Sequence, residues 1–221
     1  ARIQEAKAQW EAVTLPELRS SDVPLRPQRV VAALQASLGP EDTLVCDASF
    51  PSGWAAVFFR QGIAGRRCIF PRGLAGLGFG LPAAIGVRVA RPRGQVFCLA
   101  GDGGFAYSLG ELSTLAQHGL KVIALILNNS SLAWVQYIQR IQFGGRYVSS
   151  ELPDLDFAKV AEGLGCRGVT VRRPDELEEA LADAIRREEA VVLDVKTAIW
   201  ETPVFAYREA AQREGRRAKY W

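Results

Sequence analysis

The run Val122-Ile123-Ala124-Leu125-Ile126-Leu127 constrains this chain most, because it is wholly apolar with no polar alternation. A strand with one wet face would alternate, so this run is expected to be a central strand covered on both faces, as strands of parallel sheets are. Five more β-type runs, Thr43 to Cys46, Arg67 to Phe70, Gln95 to Ala100, Gly168 to Val171 and Ala190 to Val195, are separated mostly by helix-length segments. The expected fold class is therefore α/β, a doubly wound parallel sheet of about six strands with helices on both faces. Helices are expected over Gln28 to Leu38, Ser108 to His118 and Asp175 to Arg187, with Gly39 and Gly119 as stops and Pro174 as a start.

The length of 221 residues suits one domain with appendages. Residues 1–26 read as a helical turn or two followed by a proline-bearing linker, from Thr14 to Pro27, that arrives from a preceding domain. Residues 27–196 read as the domain and 197–221 as a tail. A start at Ala1 and the lack of any Met favour a fragment of something longer. The charge of +3 is small and sits partly in Arg213, Arg216, Arg217 and Lys219, without interleaved aromatics, so nucleic acid is not an expected partner. Cys46, Cys68, Cys98 and Cys166 are far apart with no C-x-x-C pair and read as reduced, buried thiols. With no run of 18 apolar residues and no basic-then-apolar leader, the expectation is a cytoplasmic protein without a membrane partner.

Ligands of open parallel sheets bind beyond the carboxyl ends of the strands, and there Val96 to Ala100 runs into Gly101-Asp102-Gly103-Gly104-Phe105-Ala106. So many glycines let backbone N–H groups approach an anion, and phosphate is the obvious guest. The stretch also fits the G-x-G-x-x-[GA] pattern of nicotinamide-binding Rossmann domains. Two features count against that reading. Asp102 would put a carboxylate inside the phosphate cradle, and the next strand ends in Asn128-Asn129 where an acid for the ribose is wanted. An anion beside an anion calls for a cation, and Mg²⁺ commonly joins one or two protein oxygens to phosphates. If adjacent strands end in Asp102 and Asn129, both side chains converge on one ion.

Gly101-Asp102-Gly103 followed after residues 104–127 by Asn128-Asn129 resembles the G-D-G…N-N motif of thiamine-diphosphate-dependent enzymes. Gly73-Leu74-Ala75-Gly76-Leu77-Gly78-Phe79-Gly80 is similar to the segment before G-D-G in acetolactate-synthase-like members, and Cys46-Asp47-Ala48-Ser49-Phe50 to their other diphosphate-contacting loop. The likeness runs from about Pro27 to Val195. It implies that this is the C-terminal diphosphate-binding domain of such an enzyme, with thiamine diphosphate and Mg²⁺ as cofactors. It further implies Asp102, Asn129 and the Ser131 carbonyl as metal ligands. Ala48, Ser49, Phe50, Gly76, Gly101, Gly103, Gly104 and Phe105 become cofactor contacts. The Ala75 carbonyl would accept from the aminopyrimidine, at a position where the family usually has Gly, and Leu77 would wedge between the two cofactor rings.

The resemblance places no catalytic residue in this chain. The activating Glu belongs to a pyrimidine-binding domain of the same enzyme or a partner subunit, so the chain alone is expected to be inactive and to work within a homo-oligomer. The implied reaction breaks or forms a C–C bond next to the carbonyl of a 2-oxo acid. Trp134, Val135 and Ile138 are the substrate candidates. Here the chain departs from relatives, since pyruvate decarboxylases carry Glu at the position of Val135, and acetolactate synthases carry Met and Trp at those of Trp134 and Ile138. Trp134 and Tyr137 also read as packing on an amphipathic helix, the commoner role of aromatics there. Glu111 reads as structural or as support for the phosphate turn, and His118 as a helix-end residue. A non-catalytic module that keeps the fold without the metal site stays open as an alternative.

Overall fold

The computed structural model describes residues 2–60, 68–199 and 202–203. Six strands form one parallel sheet: β1 (Thr43–Cys46), β2 (Cys68–Ile69), β3 (Val96–Gly101), β4 (Ile123–Asn128), β5 (Arg167–Val171) and β6 (Val191–Lys196). Their order is β2-β1-β3-β4-β6-β5, with every pair parallel. The apolar run of the sequence is β4, central and buried along its whole length. The expected strand Arg67 to Phe70 contracts to β2, and Arg67 itself lies outside the described residues.

Residues along each strand alternate between two cores, as the two-residue repeat of a strand requires. Leu44, Cys46, Phe97, Leu99, Ile123, Leu125 and Leu193 face one core. There they meet α2 (Pro27–Ser37), α3 (Phe50–Phe58), α7 (Ala133–Gln142) and α9 (Pro174–Arg186). Val45, Val96, Cys98, Ala100, Ala124, Ile126 and Val192 face the other. That face is covered by α4 (Gly80–Ala90), α6 (Glu111–His118) and α8 (Phe157–Gly163). Full burial of each Leu, Ile or Phe contributes about 1.5–3 kcal/mol, so the two apolar layers supply the main drive to fold. The Gly119 stop holds: α6 ends at His118 and Gly119 takes φ 58, the left-handed conformation of a helix C-terminus. Glu176 accepts from the N–H groups of Arg172 and Arg173 and fixes the start of α9.

Two expectations about the ends of the domain are corrected. The N-terminal segment is not a short turn and a linker, because α1 runs Arg2–Leu18 with Pro16 inside it. Trp10 packs on Phe58 of α3 at 5.9 Å between ring centroids, and this tertiary contact outweighs the proline signal. Gly86 of α4 is exposed with nothing within 4 Å of where a Cβ would stand. Leu81 and Ala84 carry the packing of α4 instead. The tail does not start cleanly at residue 197, since Leu25 bridges Thr197 and its carbonyl accepts from Ala198 N–H at 2.8 Å. The basic tail residues Arg213, Arg216, Arg217 and Lys219 lie outside the described residues. Among the described residues no helix is long and apolar enough to cross a membrane, and the four cysteines are free thiols.

Candidate functional site

The chain leaves β1 in one direction, toward β2, and returns as β3 on the opposite side of β1. This change of direction opens a crevice at the carboxyl ends of β1 and β3, where doubly wound sheets bind ligands. A cleft of about 120 Å³ lies there, built from the loops after β1, β3 and β4. Ala48 and Ser49 come from the first loop and Phe50 from the start of α3, Gly101 to Gly104 from the end of β3 and the short α5 (Asp102–Ala106), Asn129 and Ser131 from the third loop, and Trp134 and Val135 from the start of α7. Leu77, Trp54, Thr197 and Ala198 complete the wall.

Register places the motif. Gly101 pairs with Leu127, so Asp102 and Asn129 leave neighbouring strands at nearly the same level. Asp102 Oδ2 accepts from the N–H of Asn129 at 3.0 Å and of Ser131 at 3.3 Å, while Oδ1 accepts from Gly103 N–H at 2.7 Å. Ser130 takes φ 55, which turns the chain so that both amides face the same carboxylate. The Ser131 hydroxyl donates to Asn129 Oδ1 at 2.9 Å. Asp102, Asn129 and Ser131 thus lie together at the carboxyl edge of the sheet, joined through the Asp102 carboxylate. Burial pushes the Asp102 carboxyl above the usual carboxylate range, against the pull of the N–H groups of Gly103, Asn129 and Ser131. A nearby cation would offset that burial cost.

Asn128, the first Asn of the pair, points elsewhere. Its Nδ2 donates to Asp194 Oδ1 at 2.8 Å and to the Leu155 carbonyl at 3.0 Å, tying β4 to β6 and to the start of α8. Asp194 also accepts from Phe157 N–H. Asp194 drew no notice in the sequence, where one acid in an apolar run gives no signal of its partner.

The loop after β1 holds a strained residue. Ser49 takes φ 68, ψ −145 at the start of α3, a conformation that costs roughly 1–3 kcal/mol outside glycine. Its carbonyl accepts from the Ser52 hydroxyl and from Gly53 N–H, which hold it in place. Phe50 contacts Trp134 at 5.2 Å and Trp54 at 6.4 Å, and Trp54 stacks on Phe58. With Trp10 this makes a file of aromatic rings from α1 to the wall of the cleft. Trp134 therefore packs and lines the cleft at once.

Other expected site residues lie differently. Phe105 is fully buried against Phe157, so its side chain belongs to the core rather than to a ligand. Ile138 of α7 packs against the core and Tyr137 is buried within it; neither lines the cleft, whereas Val135 does. Glu111 accepts from Thr114 within its own helix and stands outside the cleft. Ala75 and Gly76 are exposed beside the cleft rather than in its wall. Ala75 takes φ 56, where glycine is favoured. Ala75→Gly is expected to raise stability by about 0.5 kcal/mol, the relief of left-handed strain less the extra freedom of the unfolded chain. Ala75→Val should lower it by about 1 kcal/mol or more, and thermal melts of the two variants check the opposite signs.

This geometry, a parallel α/β sheet with a G-D-G turn facing N-N across its carboxyl edge, defines a cofactor-binding domain of the thiamine-diphosphate class. The chain belongs to that family: residues 47–195 match the family described as "Thiamine pyrophosphate enzyme, C-terminal TPP binding domain". It is 33% identical over 187 residues to a probable acetolactate synthase large subunit of Methanococcus aeolicus, covering 82% of this chain and 31% of that protein. It is 34% identical over 189 residues to the acetolactate synthase large subunit of Haemophilus influenzae, covering 85% of this chain and 33% of that one. The solved structure of the thiamine-diphosphate-dependent 4-hydroxybenzoylformate decarboxylase of Rhodococcus jostii RHA1 superposes with a TM-score of 0.73 at 29% identity, over 81% of this chain and 34% of that one. The chain thus spans about a third of the length of these relatives. Membership leaves the nicotinamide reading without support.

Proposed function

We propose that this chain is the diphosphate-and-metal half of a thiamine-diphosphate- and Mg²⁺-dependent enzyme that breaks or forms a C–C bond next to the carbonyl of a 2-oxo acid. The observation that carries the reading is the charge of the cleft. Among the described lining residues Asp102 is the sole ionisable side chain, with no Lys, Arg or His. A diphosphate placed there finds no basic side chain and would face Asp102, so an ion must stand between them. Asp102, Asn129 and the Ser131 carbonyl are hard oxygen donors of the kind Mg²⁺ takes together with phosphate oxygens and water.

When bound, the cofactor supplies the carbanion chemistry that attacks a carbonyl and stores the electron pair. The chain's own part is to grip and to shape. Asp102, Asn129 and Ser131 would hold the ion, and Leu77, beside the Gly104 turn, would separate the two rings of the cofactor. Phe50, Trp54, Trp134 and Val135 give an apolar wall that suits a substrate with an apolar acyl substituent. The cleft is small beside the roughly 300–1,000 Å³ of sites that bury a whole ligand. A second surface is therefore needed over the aminopyrimidine, and a pyrimidine-binding domain of the same enzyme or of a partner subunit in a homo-oligomer fits that need. It would bring the activating Glu and a cationic group for the substrate carboxylate.

Titration with thiamine diphosphate tests this, with the fluorescence of Trp54 and Trp134 in the cleft wall as one readout and calorimetry as the other. Saturable binding in Mg²⁺ that EDTA weakens at least about a hundredfold is the expected result. Binding that is indifferent to EDTA would remove the metal from the reading.

A further inference from the structure

We infer that Asp47 is the positioning residue that sets the Leu77 loop against the diphosphate turn, a role that rests on the cofactor reading above. Asp47 stands at the end of β1 and is almost fully buried. Its carboxylate collects four backbone N–H groups. Oδ1 accepts from Ala48 at 2.8 Å, Phe79 at 3.0 Å and Gly80 at 3.3 Å, and Oδ2 accepts from Gly78 at 3.1 Å. One side chain thereby joins the loop that carries Ser49 and Phe50 to the loop that carries Leu77.

It also touches the third segment of the site. A Cβ at Gly104 would overlap Asp47 Oδ2 and lie 3.2 Å from its Cγ, so the G-D-G-G turn seats directly on this carboxylate. The same imagined Cβ lies 3.7 Å from Leu77 Cδ2, which shows how closely the wedge approaches the turn. Gly80 is pinned in the same way, with Asp47 Cβ 3.0 Å from where its own Cβ would stand. A buried carboxylate in a core of this kind is costly unless its bonds are made, and here every bond goes to a segment that lines or flanks the cleft. Asp47 itself does not line the cleft and acts through Leu77 and Gly104.

The two oxygens have different duties, which makes the test specific. In Asp47→Asn one oxygen remains for the Ala48, Phe79 and Gly80 amides, while an NH₂ faces the Gly78 N–H, donor against donor. Amide hydrogen exchange on the cofactor-free 221-residue chain is expected to quicken at Gly78 at least about tenfold, the loss of one hydrogen bond, with β4 amides unchanged. In Mg²⁺ the same variant should bind thiamine diphosphate about tenfold more weakly and inorganic diphosphate within about threefold of the parent, because only the former needs the wedge over the turn. A general loss of structure would weaken both ligands together and speed exchange in β4, and that pattern overturns the proposal. So does unchanged exchange at Gly78, or faster exchange with thiamine diphosphate binding untouched. Should the parent chain bind neither ligand, the reading that this half grips the diphosphate unaided fails, while exchange at Gly78 still decides whether Asp47 holds the Leu77 loop. Asp47→Ala, with all four amides released, is the second variant and should extend fast exchange to Phe79 and Gly80; protection retained there would again overturn the role of Asp47.

Discussion

Replacing Asp102 by alanine is expected to lower the affinity for thiamine diphosphate in Mg²⁺ at least about a hundredfold, roughly 2.8 kcal/mol, and to erase the difference that EDTA makes. The reasoning starts from charge. Asp102 is the sole ionisable side chain in the described wall of the cleft, so without it an ion at the proposed site would lose its one anionic protein ligand. The fold should tolerate the change. The N–H groups of Gly103, Asn129 and Ser131 lose an acceptor, which costs on the order of 1–3 kcal/mol for each that stays dry. Against this, a buried carboxylate whose ionised form is disfavoured is removed, and the space it leaves opens toward the cleft and its water. The melting temperature is therefore expected to move by no more than about 5 °C. Asp102→Asn keeps the shape and isolates the charge. Tight, EDTA-sensitive binding by either variant would show that Asp102 does not hold the ion.

The second large effect concerns the fold. Gly168→Ala is expected to destabilise the chain by about 3–5 kcal/mol, a substantial fraction of a typical domain's stability, and to lower the melting temperature by roughly 10 °C. Gly168 lies in β5 directly under α8. A Cβ there would overlap the Ala158 carbonyl oxygen and stand 2.5 Å from its carbon and 2.7 Å from its Cα. Those are backbone atoms, so no rotamer change relieves the clash and α8 must lift from the sheet, taking Phe157 and its contact with Phe105 along. Gly86→Ala makes the contrast. It sits in the interior of α4 with open space around it, and there alanine should add about 0.5–1 kcal/mol. Thermal or denaturant melts of the two variants decide the matter, and similar shifts for both would refute the packing described for α8 on β5.

Much of this protein was determined by its sequence alone. Apolar runs without alternation can be strands only where both faces are covered, so β3, β4 and β6 and the parallel α/β class were legible in residues such as Val122 to Leu127. Helix ends were legible wherever chemistry is local, as at Gly119 and Pro174. The neighbouring positions of Asp102 and Asn129 were legible too, because adjacent parallel strands end at one edge of a sheet. What the sequence could not contain was which side chain fills which space between segments far apart in the chain. Only tertiary structure extended α1 through Pro16 by setting Trp10 on Phe58, and turned Asn128 away from the cleft toward Asp194. It also buried Phe105, and brought Leu25 alongside Thr197. Asp47 is the clearest case: as a residue in a row it is one acid after a strand, and its four N–H partners become visible only once the Gly78 to Gly80 loop folds over it. Periodicity and capping act within a few residues of themselves, whereas close packing and the satisfaction of buried polar groups are settled between distant segments.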